Sequence, residues 1–195
     1  MSLPDFVAAR IFRPLNMTSS SYSFAVANAT GRASEYWSYF GRRIPHWLND
    51  SDLGLIAGAG GIRTTASVMV QWARLVVGGI NGTDVGISTD VLQTCMSAQS
   101  LVQTGLTYGY GWEQQDFEGV PVSHFACMLC QHAPDDGFQT IWHEGSIPGV
   151  TTLVTLVPSR QMAVIQLANA DQKDQANTLV LNEVLSAMLG NPAPT

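Results

Sequence analysis

The chain has a single lysine, Lys173, three cysteines, only 12% charged residues and a net charge of −6 across 195 residues. With so few cations there is no basic face to neutralise a phosphate backbone, which excludes nucleic acid as a partner. Cys95, Cys127 and Cys130 are too sparse, and odd in number, for a disulfide scaffold; they read as buried thiols or one bridge. Cys127 and Cys130 with His132 and His143 match no common structural zinc spacing, so no metal is expected. No apolar run approaches the roughly 20 residues of a membrane span; the longest are Val150 to Val157 and Met162 to Ala168. The first residues lack the basic and apolar regions of a leader, so any targeting signal is expected upstream or never existed. What remains is 46% hydrophobic material, enough to bury a sizeable core as one domain or a large piece of one.

Asparagine is placed unusually. Four of the eight, Asn16, Asn28, Asn49 and Asn81, stand in Asn-x-Ser/Thr acceptors, where composition alone gives about one. The excess points to a secreted glycoprotein in the extracellular or secretory space; the alternative is that Ser/Thr-rich turns produce the same pattern.

Leu3, Phe6, Val7 and Ile11 fall at helical spacing, Ser2 can cap the start with Asp5 three residues on, and Pro14 stops the helix. Residues 16–56 show no sustained period and read as long connecting structure with a short helix at most. Gly54 to Gly61 lacks the third glycine of a dinucleotide fingerprint and reads as a tightly packed turn. Thr64 or Thr65 then caps a helix to about Val77, ended by Gly78 and Gly79, with Val68, Met69, Trp72, Leu75 and Val76 inward. Ser88 to Ser97 is a second helix. Residues 109–113, 120–125, 138–144, 150–157 and 162–168 read as strands, the last two joined through Pro158 to Gln161. A C-terminal helix begins at Asp171, with Leu181, Val184, Leu185 and Met188 on one face. Helices, a meander and a closing helix make an α+β fold: an antiparallel sheet flanked by helices.

No serine is flanked by glycine at both second neighbours, which excludes a nucleophile elbow. The other route to an activated serine places a lysine one helical turn later, so that the amine can take the hydroxyl proton. Lys173 is preceded at that spacing by Ala170, so the pair is absent. The stretch His143, Glu144, Gly145, Ser146, Ile147, Pro148, Gly149 reads as a strand end, a glycine-rich turn and a second strand. His143 taken alone reads more readily as a hydrogen-bonded structural histidine than as a catalytic one. Strand alternation sends Glu144 to the face opposite His143.

The segments Leu3 to Met17, Gly58 to Thr65, Tyr108 to Trp112 and His143 to Asn169 resemble, in order, the C-terminal half of the serine beta-lactamase-related family, which groups class C beta-lactamases, DD-peptidases, D-aminopeptidases and esterases. The resemblance covers nearly all of residues 1–195 and implies a partial domain of a hydrolase that cleaves amide or ester bonds through an acyl-enzyme, without a cofactor. Its site motifs are Ser-x-x-Lys, a Tyr-x-Asn loop and a Lys-Thr-Gly or His-x-Gly strand. Only the third has a counterpart: His143 in the polar position, Gly145 keeping the strand edge open, and the Ser146 backbone N–H as one oxyanion donor. One such donor is worth about 3 kcal/mol of transition-state stabilisation, so half a hole is a poor catalyst. None of the five tyrosines is followed two residues later by asparagine. A largely neutral His143 draws a substrate carboxylate less than lysine does, favouring ester or peptide substrates over penicillin-like acids. Trp112 and Trp142 read either as walls of an acyl pocket or as core. The resemblance further implies a truncation that leaves out the nucleophile-bearing N-terminal part. It also implies a five-stranded sheet whose first two strands lie in that part, an open edge on strand 162–168, a partly uncovered C-terminal helix, and association with the missing half. A non-catalytic binding module is the alternative.

Overall fold

The computed structural model describes residues 1–29, 31–46, 54–103, 106–115, 139–171 and 174–189. The chain forms two compact units. One comprises Met1–Trp72, Gly145–Thr151 and Leu167–Gln172; the other comprises Ala73–Glu144, Thr152–Gln166 and Lys173–Thr195.

The first unit opens with α1, Leu3–Val7. The Ser2 hydroxyl accepts the Asp5 N–H at 3.3 Å and donates to the Asp5 carboxylate at 2.6 Å, so the cap expected from sequence is present. The helix continues as a π turn over Ala8–Phe12, with the Arg13 N–H bonded to the Ala8 carbonyl at 3.1 Å. Val7, Phe12 and Met17 are buried together beneath Ile11, Leu15, Tyr22, Val68, Met69 and Trp72. Helix α2, Phe24–Ala29, follows. The Arg63 guanidinium lies 3.4 Å from the Phe24 ring centroid and donates to the Tyr22 carbonyl at 2.7 Å, tying that helix to the Ser21 and Arg63 bridge.

The described residues between 16 and 46 hold more regular structure than their lack of period suggests. Strands β1, Glu35–Tyr39, and β2, Arg42–His46, pair antiparallel from Glu35 with His46 to Tyr39 with Arg42. They are joined by Phe40 (φ 44°) and Gly41 (φ 72°), two left-handed residues as a primed hairpin turn requires. Strand β1 is tied to the segment after residue 168: the Tyr36 N–H reaches the Asn169 carbonyl at 3.1 Å, and the Asp171 N–H reaches the Tyr36 carbonyl at 3.2 Å. Asp171 therefore does not start the closing helix expected there.

A short helix α3, Ala57–Gly60, precedes α4, Ala66–Ile80. The Thr65 hydroxyl caps α4 by accepting the Val68 N–H at 3.3 Å. The expected stop at Gly78 and Gly79 is not observed. Helix α4 runs through both because a Cβ at Gly79 would collide with Leu92 and Val85, so glycine there serves close packing.

The second unit holds most of a six-stranded sheet in sequential order: β3 Ser100–Gln103, β4 Leu106–Gly109, β5 Trp112–Gln115, β6 Thr140–Ile147, β7 Val150–Val157 and β8 Met162–Ala168. Among the described residues this sheet has six strands, not the three left by the expected five-stranded plan, with β3, β4 and β5 forming a meander ahead of β6. The expected strand over 109–113 is the β4–β5 turn, with Gly111 at φ +87°. The expected strand over 120–125 lies outside the described residues. Strands β7 and β8 match their expected bounds and are neighbours across the Pro158–Arg160 3-10 turn, which makes them antiparallel. Among the described residues β8 is outermost, as anticipated.

Helix α5, Thr89–Cys95, is capped by the Ser88 hydroxyl, which accepts the Val91 N–H at 3.2 Å. Helix α6, Asp174–Leu189, buries Leu181 and Leu185 against Leu106, Trp142, Leu153 and Val157. Val184 and Met188, expected on that face, are 36% and 67% exposed, and Leu179 and Val180 are more than half exposed at 54% and 51%. The α6 core face is instead completed by the buried Asn177 and Thr178. No described helix is long and apolar enough to cross a membrane.

Candidate functional site

Strand β6 carries the motif. Thr140, Ile141 and Trp142 are all buried, which anchors its first half. Strand β5 pairs with these three alone, through Glu113 with Trp142 to Gln115 with Thr140. Residues 143–147 therefore run on past the end of that ladder. The strand continues through Ile147, so the turn is Pro148–Gly149 and not the wider glycine-rich turn expected over 145–149.

His143 is the first exposed residue of the strand. Its side chain reaches solvent, yet enough protein surrounds the ring to strip hydration from the charged form, and this desolvation holds its pKa below the ordinary 6.5. The neutral imidazole is thus the resting form near pH 7, as expected from sequence. Glu144 is half-buried and has an interaction partner. Gly145 is half-buried and Ser146 is exposed.

Ser146 opens onto a cavity of about 430 Å³ lined also by Trp37, Ser38, Tyr39, Ile147, Pro148 and Asp171, all within the first unit. Two walls are fixed by backbone chemistry. Gly149 adopts φ +82° with its Cα packed so closely on β1 that a Cβ would stand 2.7 Å from the Glu35 Cβ. The Ser38 N–H donates to the Asp171 carboxylate at 2.6 Å, holding it beside the aromatic strand.

Of the residues singled out from sequence, Trp142 is 2% exposed and sits in the core with Leu106, Leu153 and Leu181. Of the two readings expected for it, pocket wall or core, this placement is the core one: the alternating strand directs its indole into the α6 packing. Trp112 is half-buried at the start of β5 and does not line the cavity at Ser146. The residues that do, Trp37, Tyr39 and Asp171, are not among those the sequence singles out. Trp37 and Tyr39 at i and i+2 beside a two-residue turn are the available signal, masked by Pro45 and two arginines in the partner strand. Cys127, Cys130 and His132 lie outside the described residues, and no His, Cys, Asp and Glu cluster among the described residues could hold a metal. Cys95 is a free thiol.

Chemically, an extended strand past its ladder can present backbone N–H donors to a carbonyl oxygen, with a neutral imidazole nearby in sequence.

Comparison with known proteins places this arrangement. The Beta-lactamase family profile matches residues 1–186. The curated Unguisins hydrolase ungD′ of Aspergillus campestris is 24% identical over 173 residues, which is 85% of this chain and 28% of that protein. The octameric penicillin-binding protein homologue from Pyrococcus abyssi superposes with a TM-score of 0.74 at 16% identity, covering 99% of this chain and 39% of its own. A beta-lactamase from Sulfitobacter sp. EE-36 gives 0.72 at 17% identity, covering 97% and 54%. A class C beta-lactamase from Rhodobacter sphaeroides gives 0.68 at 18% identity, covering 97% and 55%. The chain thus spans 28% of the curated relative and 39% to 55% of these structures. The structural likenesses establish a beta-lactamase/transpeptidase-like fold, and with the profile match across nearly its whole length the chain belongs to the Beta-lactamase family.

Proposed function

We propose that this chain supplies the electrophile-binding strand of a serine hydrolase that cleaves amide or ester bonds through an acyl-enzyme, while the nucleophile comes from residues outside this sequence. The observation that carries the reading is β6 itself. It runs through His143 and Ser146 beyond the β5 ladder, with Ser146 opening on a cavity. In this reading the Ser146 N–H is one of two oxyanion donors, Gly145 keeps side-chain bulk away from the strand edge, and neutral His143 hydrogen-bonds the substrate. On its own the chain is inactive, because neither a Ser-x-x-Lys nor a Tyr-x-Asn pattern occurs in it. Sequencing the 5′ end of the transcript tests this. An in-frame upstream Ser-x-x-Lys is the expected result, and an upstream stop codon overturns it.

The missing motifs equally favour a second reading, a non-catalytic module that binds partners through its exposed surfaces. A longer chain carrying the upstream segment separates the two: ester turnover lowered by His143→Ala supports the hydrolase, and its absence supports the module. We further propose passage through the secretory pathway. The acceptors Asn16, Asn28 and Asn81 are all exposed, as glycosylation requires. A mass decrease on amidase treatment of the protein from its native source is expected, and an unmodified mass would contradict it.

A further inference from the structure

The cavity at Ser146 has a chemical character of its own. Its acidic residue is held at side chain and backbone: the Asp171 carboxylate accepts the Ser38 N–H at 2.6 Å on one oxygen, while the Asp171 N–H donates to the Tyr36 carbonyl at 3.2 Å and its carbonyl accepts the Ser38 hydroxyl at 3.3 Å. Among the described residues no cation is paired with it, and the ion pair of Arg32 with Glu35 at 3.6 Å lies elsewhere in this unit. The facing aromatics are presented, not packed away. Trp37 is 43% exposed, with one side of its indole stacked on His46 at 4.7 Å and 9°, and Tyr39 is 60% exposed. Trp37 and Tyr39 share one side of β1 by alternation. Arg42 and Arg43 pair with Tyr39 and Ser38 across the hairpin but do not line the cavity, where the Asp171 carboxylate beside two partly exposed aromatic side chains favours a cation through Coulomb attraction and the ring quadrupoles. The volume of about 430 Å³ is in the range of small-ligand sites.

We propose that this cavity is a subsite for a cationic group on a short apolar or aromatic stem, an amine or guanidine, with Asp171 as counter-ion and Trp37 and Tyr39 as the walls that hold the stem. Its place as part of a substrate site rests on the reading of Ser146 as an oxyanion donor; its ability to bind a cation does not. The substrates so selected are amides or esters that carry a positive charge near the scissile carbonyl.

The test is binding, independent of turnover. The chain is titrated with phenethylamine, with the isosteric neutral 2-phenylethanol and with 3-phenylpropionate, and indole fluorescence is followed in the parent, Trp37→Phe and Asp171→Asn. The asparagine keeps an oxygen for the Ser38 N–H, so the loop survives the change. Saturable binding of the amine is expected, with the carboxylate at least tenfold weaker. In Asp171→Asn the amine should weaken about tenfold while the alcohol is unchanged, and the signal should be lost in Trp37→Phe. Equal affinity for amine and carboxylate, no binding of the amine, or an amine affinity indifferent to Asp171→Asn each overturns the proposal. Failure of cationic-ester turnover in a longer chain, with binding intact, would instead overturn the hydrolase reading.

Discussion

Gly149 and Gly111 share a left-handed backbone, at φ +82° and +87°, but differ in surroundings, and alanine at each separates the two costs. At Gly111 nothing lies within 4 Å of the position a Cβ would take. Gly111→Ala therefore carries only the left-handed penalty of about 1–2 kcal/mol, less roughly 0.5–1 kcal/mol from a less flexible unfolded chain. At Gly149 the same Cβ would stand 2.7 Å from the Glu35 Cβ and 3.2 Å from the Tyr36 nitrogen. Relief requires β1 to withdraw, and the Tyr36 N–H then loses its contacts at 3.1 Å to Asn169 and 3.4 Å to Gly149. Stranding that donor adds about 1–3 kcal/mol. Gly149→Ala should thus destabilise by roughly 1–4.5 kcal/mol, about 1–3 kcal/mol more than Gly111→Ala at roughly 0–1.5 kcal/mol. Urea denaturation of both variants, followed by indole fluorescence, reads the difference. Equal losses at the two positions would refute the seating of β1 on the turn after the site strand, and with it the walls of the Ser146 cavity.

Leu181→Ala should cost about 2–5 kcal/mol, as a fully buried leucine does, while Leu179→Ala, 54% exposed two residues away, should stay within about 0.5 kcal/mol in the same denaturation assay. Because the folded pKa of His143 is lowered from 6.5, the unfolded chain takes up a proton first as pH falls. His143 therefore adds a loss of stability on going below pH 6.5 that levels off beneath the lowered folded value, with no effect above. Denaturation series from about pH 8 to about pH 5 on the parent and His143→Gln should differ by that step; identical profiles would contradict the desolvated ring. The apolar surface of Leu179, Val180, Val184 and Met188, together with the outermost β8, should make the isolated chain self-associate, and Val180→Glu should reduce it. A monodisperse monomer in sedimentation velocity would count against this.

Strands β7 and β8 are legible in the sequence to the residue because each is an unbroken apolar run, bracketed by Gly149 and Pro158 on one side and Gln161 and Asn169 on the other. The Ser2 and Thr65 caps are legible because capping is local chemistry. What escapes a sequence reading is set by tertiary contact. Helix α4 passes through Gly78 and Gly79 because Leu92 needs the space, a demand invisible within the helix itself. The β1–β2 hairpin turns on Phe40 in a left-handed conformation, without the usual Asn-Gly pair, and its amphipathic logic depends on Asp171, 133 residues from Ser38. The candidate strand at His143 is visible in the sequence; the cavity beside it is not, since its other walls come from distant segments.

The most direct measurement of the central claim is the intact mass of the purified chain after incubation with a fluorophosphonate and with a penicillin. A chain that holds the oxyanion strand but no activated nucleophile keeps its unmodified mass and hydrolyses neither nitrocefin nor p-nitrophenyl acetate above background. A stoichiometric adduct on any serine of this sequence would contradict the account.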